Sequence, residues 1–491
     1  MSYEPSTIEQ GDSRSPGGDV EGRPIPGLLI AWSAEEPRRV GEVALFELDG
    51  FAQILGRGDA SDGGGSGRTS FGPRRFTVVG AASSVRGGGI SREQLRIEAR
   101  RGKLHVERIG RCPVLVRGER VDRCTLSPGD TLLLKGQLLL LCITRPSGGP
   151  ALRNFPAACV GPYGGPDKLG IVGESAAIWA LRETLAFQAK AGAHALVLGP
   201  SGSGKELVAR ALHALSPRSA GPFVARNAAT LPVGLLEAEM FGNVKNYPNP
   251  GMAERPGLVG AAEGGTLFLD EMGDLPSSLH ASLLRVLDGD GEYHRLGEAK
   301  ARRAQLRFVG ATNRAPESLK HDLLARLPLR LLVPGLDARR EDIPLLIRHL
   351  LRQALEKTPE LVRPFVDEDG EVRLSPGLVE ELLHRAYSTH LRELEGALWA
   401  AMADSRGSVI EASPRAPAGA QLPTTESTSS EPPPEREEPT ADELRASIAE
   451  HGGNLVRAAK ALRLPSRYVL YRLLRKHGID VGALRGGGDG A

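Results

Sequence analysis

Aromatic residues make up only 4% of this 491-residue chain, cysteines number four, and the net formal charge is +2. Few aromatics beside 36 prolines and 61 glycines predict long loops and disordered connectors, while the length suggests about three domains and allows a sizeable core. Near neutrality removes any global electrostatic argument for a nucleic-acid or membrane partner, so such a surface must rest on local clusters of charge. Cys112, Cys124, Cys142 and Cys159 form no CxxC pair and have no histidine at metal-ligand spacing. That argues against zinc and for free thiols in a reducing compartment. No run reaches the ~18 apolar residues that span a bilayer. The start, "MSYEPSTIEQGDSRSPGG", has neither a basic segment nor an apolar one, so a cytoplasmic protein with no membrane partner is expected.

What is abundant sets the organisation. Pro, Gly and Ser displace periodic apolar residues in "RPSGGPALRNFPAACVGPYGGPD" and in "EASPRAPAGAQLPTTESTSSEPPPEREEPT", leaving no face to bury. The expected fold class is multidomain. It comprises a disordered tail over 1–40, a β-sandwich over 41–146, a linker over 147–166 and an α/β domain over 167–334 with a helical lid over 335–408. A disordered linker over 409–439, a small all-α domain over 440–482 and a flexible tail over 483–491 complete it.

In the centre, "ALVLGPSGSGKELVARALHAL" runs from an apolar strand through a glycine loop into a helix. Gly199, Pro200, Ser201, Gly202, Ser203 and Gly204 form a loop whose backbone N–H groups turn towards phosphates. Lys205 then reaches the β- and γ-phosphates. Glu206 stands where the general motif has the Ser or Thr that binds Mg²⁺. Some seventy residues on, "GGTLFLDEMGDLP" is an apolar strand ending in Asp270 and Glu271. Asp270 is the candidate metal residue, holding Mg²⁺, and Glu271 is the group that orients or deprotonates an attacking water. The pair of motifs predicts ATP hydrolysis.

Together with "IVGESAAIWALRETL", "GPFVARNAATLP" and "GATNR", these stretches closely resemble the AAA+ domain of sigma-54-dependent transcriptional activators. GKE is that family's own form of the loop. The resemblance implies ATP and Mg²⁺ as cofactors and a homo-oligomeric ring, a hexamer. It also implies Asn227 as the polar partner of Glu271, Asn313 as the γ-phosphate sensor and Arg392 as the lid sensor. A cation supplied to the neighbouring subunit's site is implied at Lys320 or Arg326, and Arg326 suits it better because only a guanidinium forks onto two phosphate oxygens.

The strand-rich N-terminal part carries "ILGRGD" and "ISREQLRI", which resemble the forkhead-associated (FHA) domain. That implies a phosphothreonine protein or its kinase as partner, bound at Arg57, Ser91 and Arg92. The family's buttressing histidine is here Gln94, and its Asn-Gly is replaced around Cys112 and Pro113. At the other end, Asn454 to Gly478 holds no acidic residue and seven Lys or Arg, a phosphate-facing surface. It resembles the Fis-type helix-turn-helix. Ser466, Arg467, Tyr468, Tyr471, Arg472 and Arg475 are its candidate DNA contacts.

One stretch departs from the family. The loop that touches the sigma factor reads Asn246, Tyr247, Pro248, Asn249, Pro250 and Gly251 instead of Gly-Ala-Phe-Thr-Gly-Ala, and proline stiffens it. The expected function is an ATP-dependent, DNA-binding transcriptional regulator of the sigma-54 activator type, acting on sigma-54 RNA polymerase from upstream promoter sites. Two alternatives are a DNA-binding regulator that does not remodel that polymerase and an AAA+ remodeller of protein substrates.

Overall fold

The computed structural model of the chain describes residues 22–58, 67–75, 78–147, 152–230, 235–247 and 249–413, with 444, 445, 447 and 462 beyond them. Residues 1–422 form one compact unit and 423–491 a second. Most of the expected helix-turn-helix, with its six candidate DNA contacts Ser466, Arg467, Tyr468, Tyr471, Arg472 and Arg475, lies outside the described residues, as does Pro248. Among the described residues no helix is long and apolar enough to cross a membrane.

Among its described residues the N-terminal part holds β-sheets of six and five strands and a short pair, Arg74–Arg75 with Val78–Val79. Strand β1 (Pro24–Ser33) lies inside the six-stranded sheet, paired with Val43–Leu45 on one side and with β2 (Leu138–Pro146) on the other. The boundary expected at residue 41 therefore falls after the first strand, and the ordered chain begins earlier. The reason it was hidden is local and physical. Pro24, Pro26 and Gly27 read as breakers, and the strand lacks the alternation of a half-exposed strand because both of its faces are covered.

Leu28, Ile30, Leu138, Leu140 and Cys142 point into the core between the sheets. Leu29, Ala31, Val43, Leu139, Leu141 and Ile143 point the other way, into one core with the helical lid. Antiparallel sheets commonly leave one face to water; here lid residues Leu345, Leu346, Leu378, Val379 and Leu382 cover it. At ~1.5–3 kcal/mol for each fully buried aliphatic side chain, this junction is a core and not a tether. Polar contacts ring it: Trp32 Nε1 donates to Leu374 O at 2.8 Å, Thr131 Oγ1 to Glu380 at 2.6 Å, and Arg145 pairs with Glu341 at 3.0 Å. All four cysteines are free, and burial pushes the thiol of Cys142 up to about 12 and that of Cys124 to about 11.

In the segment expected as a linker, 147–166, described residues pack: Phe155 meets Trp179 edge-on at 6.2 Å, and Tyr163 Oη donates to Gly41 O at 2.6 Å. After it come α1 (Ala176–Ala191), β3 (Ala195–Leu198), α2 (Lys205–Ala214), β4 (Phe223–Asn227), β5 (Thr266–Asp270), β6 (Arg307–Thr312) and β7 (Leu329–Leu332). The five strands form a parallel sheet in the order β4-β5-β6-β3-β7. Alternate residues face opposite layers. Ala195, Val197, Phe268 and Val309 pack on α1 and α2, while Leu196, Leu267, Leu269 and Phe308 pack on the other side. Covered on both faces, these strands are nearly continuous apolar runs. The lid follows, with α3 (Ile343–Lys357), α4 (Pro376–His384) and α5 (His390–Asp404).

Candidate nucleotide-binding site

The glycine loop joins β3 to α2 at the carboxyl end of the sheet, where open parallel sheets bind ligands. Gly202 and Gly204 have φ of +74° and +101°, values that disfavour any side chain. Gly204 caps α2 without offering a side-chain acceptor, so the first N–H groups of the helix are left for an anion. Lys205 is 5% exposed, and its Nζ donates to Gly199 O at 3.1 Å and Pro200 O at 3.3 Å. Among the described residues no carboxylate pairs with it. A buried ammonium held only by carbonyls is a site arranged for a negative ligand. The Ser203 hydroxyl is likewise buried without a partner. Glu206 turns outward and pairs with Arg210 at 2.8 Å; it is a helix-surface residue and not part of the cradle.

Strand order explains how distant motifs meet. β6 separates β3 from β5, so the end of β6 stands between the glycine loop and the acidic pair. Gly199 N donates to Thr312 O at 3.3 Å, which sets exposed Asn313 beside the loop. Register places Asn227 opposite Asp270 on the neighbouring strand. Asn227 Oδ1 accepts from Ala229 N at 2.9 Å, and among the described residues no hydrogen bond joins it to Glu271. Asp270 Oδ1 accepts from Glu271 N at 2.9 Å, and Glu271 itself has φ of +51°. Such a conformation in a residue with a Cβ is strained; nothing local in the sequence reports it.

Other parts of the site were invisible in the motifs. A cavity of about 560 Å³ opens between the glycine loop, the segment around Ile171 and Val172, and lid residues Leu346, His349, Leu350 and Leu391. One wall is fixed by Asp167, which accepts from Leu169 N and Ile171 N and pairs with Arg182 at 2.8 Å. Arg182 also donates to Ile171 O and Gly173 O and lies 4.4 Å from the Trp179 ring centroid. The sandwich reaches the same wall: Arg75 pairs with buried Glu174 at 2.8 Å. Burial of His349 lowers its pKa, keeping the imidazole neutral in an apolar wall.

The lid closes on the loop directly. Arg392 Nη1 donates to Ser201 Oγ at 3.3 Å, and Leu391 N donates to Gly202 O at 3.1 Å. A Cβ on Gly202 would lie 2.1 Å from Thr389 O, so glycine is required by the lid as well as by the turn. Arg326 is elsewhere. It pairs with Asp288 at 2.7 Å and donates to Asp322 O, and it lines a cleft with His194 and Arg218 rather than the cavity beside the glycine loop. Lys320 is exposed at the start of the short helix His321–Ala325.

In the sandwich, Arg57 and Arg92 line a pocket of about 340 Å³ together with Arg86, which the motifs did not single out. Ser91 Oγ accepts from Arg111 N at 3.0 Å. Gln94 is fully buried; its Nε2 donates to Cys112 O at 2.8 Å and its Oε1 accepts from Cys112 N at 3.2 Å. The amide thus ties the two loops together. In the loop at 246–251, Asn246 has φ of +64°, its Oδ1 accepts from Gly251 N at 3.0 Å and its N donates to Met252 O at 2.8 Å. Tyr247 stands beside Gly297, where an added Cβ would meet its ring at 2.6 Å, and it remains 44% exposed. Asn249 and Pro250 are exposed beside it.

A family model described as the sigma-54 interaction domain matches residues 171–332. The transcriptional regulatory protein ZraR of Escherichia coli (strain K12) is 35% identical over 317 residues, which are 63% of this chain and 69% of that protein. The transcriptional regulatory protein GlrR of the same strain is 41% identical over 225 residues, 44% of this chain and 50% of that protein. Among solved structures, NtrX from Brucella abortus in complex with ATP is 30% identical, covering 63% of this chain and 69% of that one, with a TM-score of 0.44.

Proposed function

Because this chain belongs to the family of transcriptional regulators built on a sigma-54 interaction domain, we propose that it couples ATP hydrolysis in a cytoplasmic ring, a hexamer, to transcription from sigma-54 promoters. The observation that carries this reading is buried Lys205, paired with no carboxylate among the described residues, in a glycine cradle that the lid touches through Arg392. The cradle fits a nucleotide. The α2 N-terminus and Lys205 hold its phosphates, Asp270 is the carboxylate for Mg²⁺, and Ile171, Val172 and the apolar lid residues take the base. Bound Mg²⁺ would supply charge neutralisation on the phosphates.

Within the site, Glu271 orients the attacking water and Asn313 senses the γ-phosphate from the end of β6. Arg392 reports the same state to the lid. Arg326 serves the neighbouring subunit, with Asp288 as its partner before assembly. Input comes through the sandwich, an FHA-type domain whose Arg57, Arg86, Arg92 and Ser91 bind phosphothreonine on a partner protein or kinase. Output comes through the basic helix-turn-helix, which reads promoter DNA.

A second reading is favoured by the loop at 246–251. Asn246 closes it on Gly251, and Tyr247 leans on Gly297, so the tip is braced where the family loop rearranges; on this reading the protein binds DNA and ATP without remodelling the polymerase. ATP-dependent open-complex formation with purified sigma-54 polymerase separates the two. Opening that requires ATP and is lost in Glu271→Gln supports the first reading. ATP turnover without opening supports the second.

A further inference from the structure

Beyond the nucleotide and phosphothreonine sites, a third cavity, of about 320 Å³, lies where the sandwich meets the lid. Its apolar wall is built from Ala31, Trp32 and Val40 on one side and Ile347, Leu351 and Val379 on the other. Size, apolar lining and position between two structural parts are the attributes of small-molecule sites. β1 changes register between Ile30 and Trp32, and the Trp32 indole is spent on Leu374 O, so the ring is a fixed wall.

The polar groups are unbalanced. Arg38, Arg348 and Arg352 all converge on one carboxylate, Glu371, at 3.6, 3.2 and 2.9 Å. Asp367, also in the lining, accepts instead from Asp369 N and Glu371 N. Arg348 Nε is buried with no acceptor, a donor that a buried guanidinium does not ordinarily leave unused. Arg373 adds a further cation to the lining. An apolar cleft with surplus guanidinium donors matches one class of molecule.

We propose that this cleft binds a small amphipathic carboxylate, its alkyl or aromatic part against Trp32, Ile347 and Val379 and its carboxylate on Arg348. A molecule seated there touches the sandwich and α3 together, and the same lid carries Arg392 to the glycine loop.

The test uses the full-length protein with octanoate as probe and octanol as its uncharged control, read by thermal shift and by Trp32 fluorescence against Trp32→Phe. Octanoate should bind saturably and at least about tenfold more tightly than octanol, the value of a charge-assisted hydrogen bond. Arg348→Met should reduce octanoate to the level of octanol. Ala34→Trp, at an exposed position on the lining, should block both ligands while leaving the unliganded melting temperature unchanged. Equal affinity for octanoate and octanol, or octanoate binding that survives Ala34→Trp, would overturn the proposal. Because the readout is binding without nucleotide, the result is independent of whether the protein hydrolyses ATP.

Discussion

Replacing Lys205 by methionine keeps the length of the side chain and removes its charge. In the nucleotide-free protein the ammonium is buried and satisfied only by Gly199 O and Pro200 O at 3.1 and 3.3 Å. Two such bonds are worth ~1.5–3 kcal/mol each, and desolvating the cation costs several kcal/mol in the opposite direction. The two nearly cancel, so the variant should match the wild-type stability to within about 1 kcal/mol. With a non-hydrolysable ATP analogue at a hundred times its dissociation constant, the wild type gains ~2.7 kcal/mol by linkage. Losing the lysine removes charge-assisted contacts to phosphate and weakens binding about a hundredfold. The same ligand concentration then gives only ~0.4 kcal/mol. Urea unfolding with and without the analogue measures both quantities. A variant that keeps the full ligand shift would refute the cradle assignment. One that loses more than about 3 kcal/mol without ligand would show that Lys205 serves the fold.

Three further outcomes are expected. Arg326→Ala subunits should bind ATP and fail to turn it over, and mixing them with Lys205→Ala subunits should restore part of the activity at mixed interfaces; absence of rescue in an ATPase titration argues against service in trans. Gln94→Ala strands the N–H and carbonyl of Cys112 and should cost about 2–4 kcal/mol in denaturant unfolding; a loss under ~0.5 kcal/mol would remove Gln94 as the tie between the loops. His390 accepts from Leu336 N through Nδ1 at 3.2 Å, and burial depresses its pKa below 6.5. The unfolded chain therefore takes up the proton first, and this contribution to stability is full above ~6.5 and is lost as pH falls through the folded value. His390→Asn offers an acceptor and tolerates the φ of +45° there, so its melting temperature should fall less between pH 7 and 5; an unchanged slope counts against the histidine.

What was legible in the sequence had short range. β3, the glycine loop and α2 are contiguous, and the turn between them needs glycine where φ is positive, so residues 195–214 specify a strand, a glycine loop and a helix in isolation. The apolar strand ending in Asp270 and Glu271 is similarly self-contained. The same holds for the parallel sheet, since strands covered on both faces read as unbroken apolar runs.

Tertiary structure decided whatever depends on a partner far along the chain. β1 was concealed by its prolines and by burial on both faces, which erases the alternation that identifies a strand. Gln94 offers both a donor and an acceptor to Cys112, and only the placement of two loops 18 residues apart shows that one amide ties them together. The strained backbone of Glu271, the pairing of Arg326 with Asp288 and the walls of the nucleotide cavity drawn from 167–172 and the lid have no local signature. By itself the sequence determined the strand, glycine loop and helix of 195–214, because backbone conformation and side-chain type act within a few residues. Which residues surround them was settled only when packing brought distant segments into contact, because burial and hydrogen-bond partners are properties of the fold.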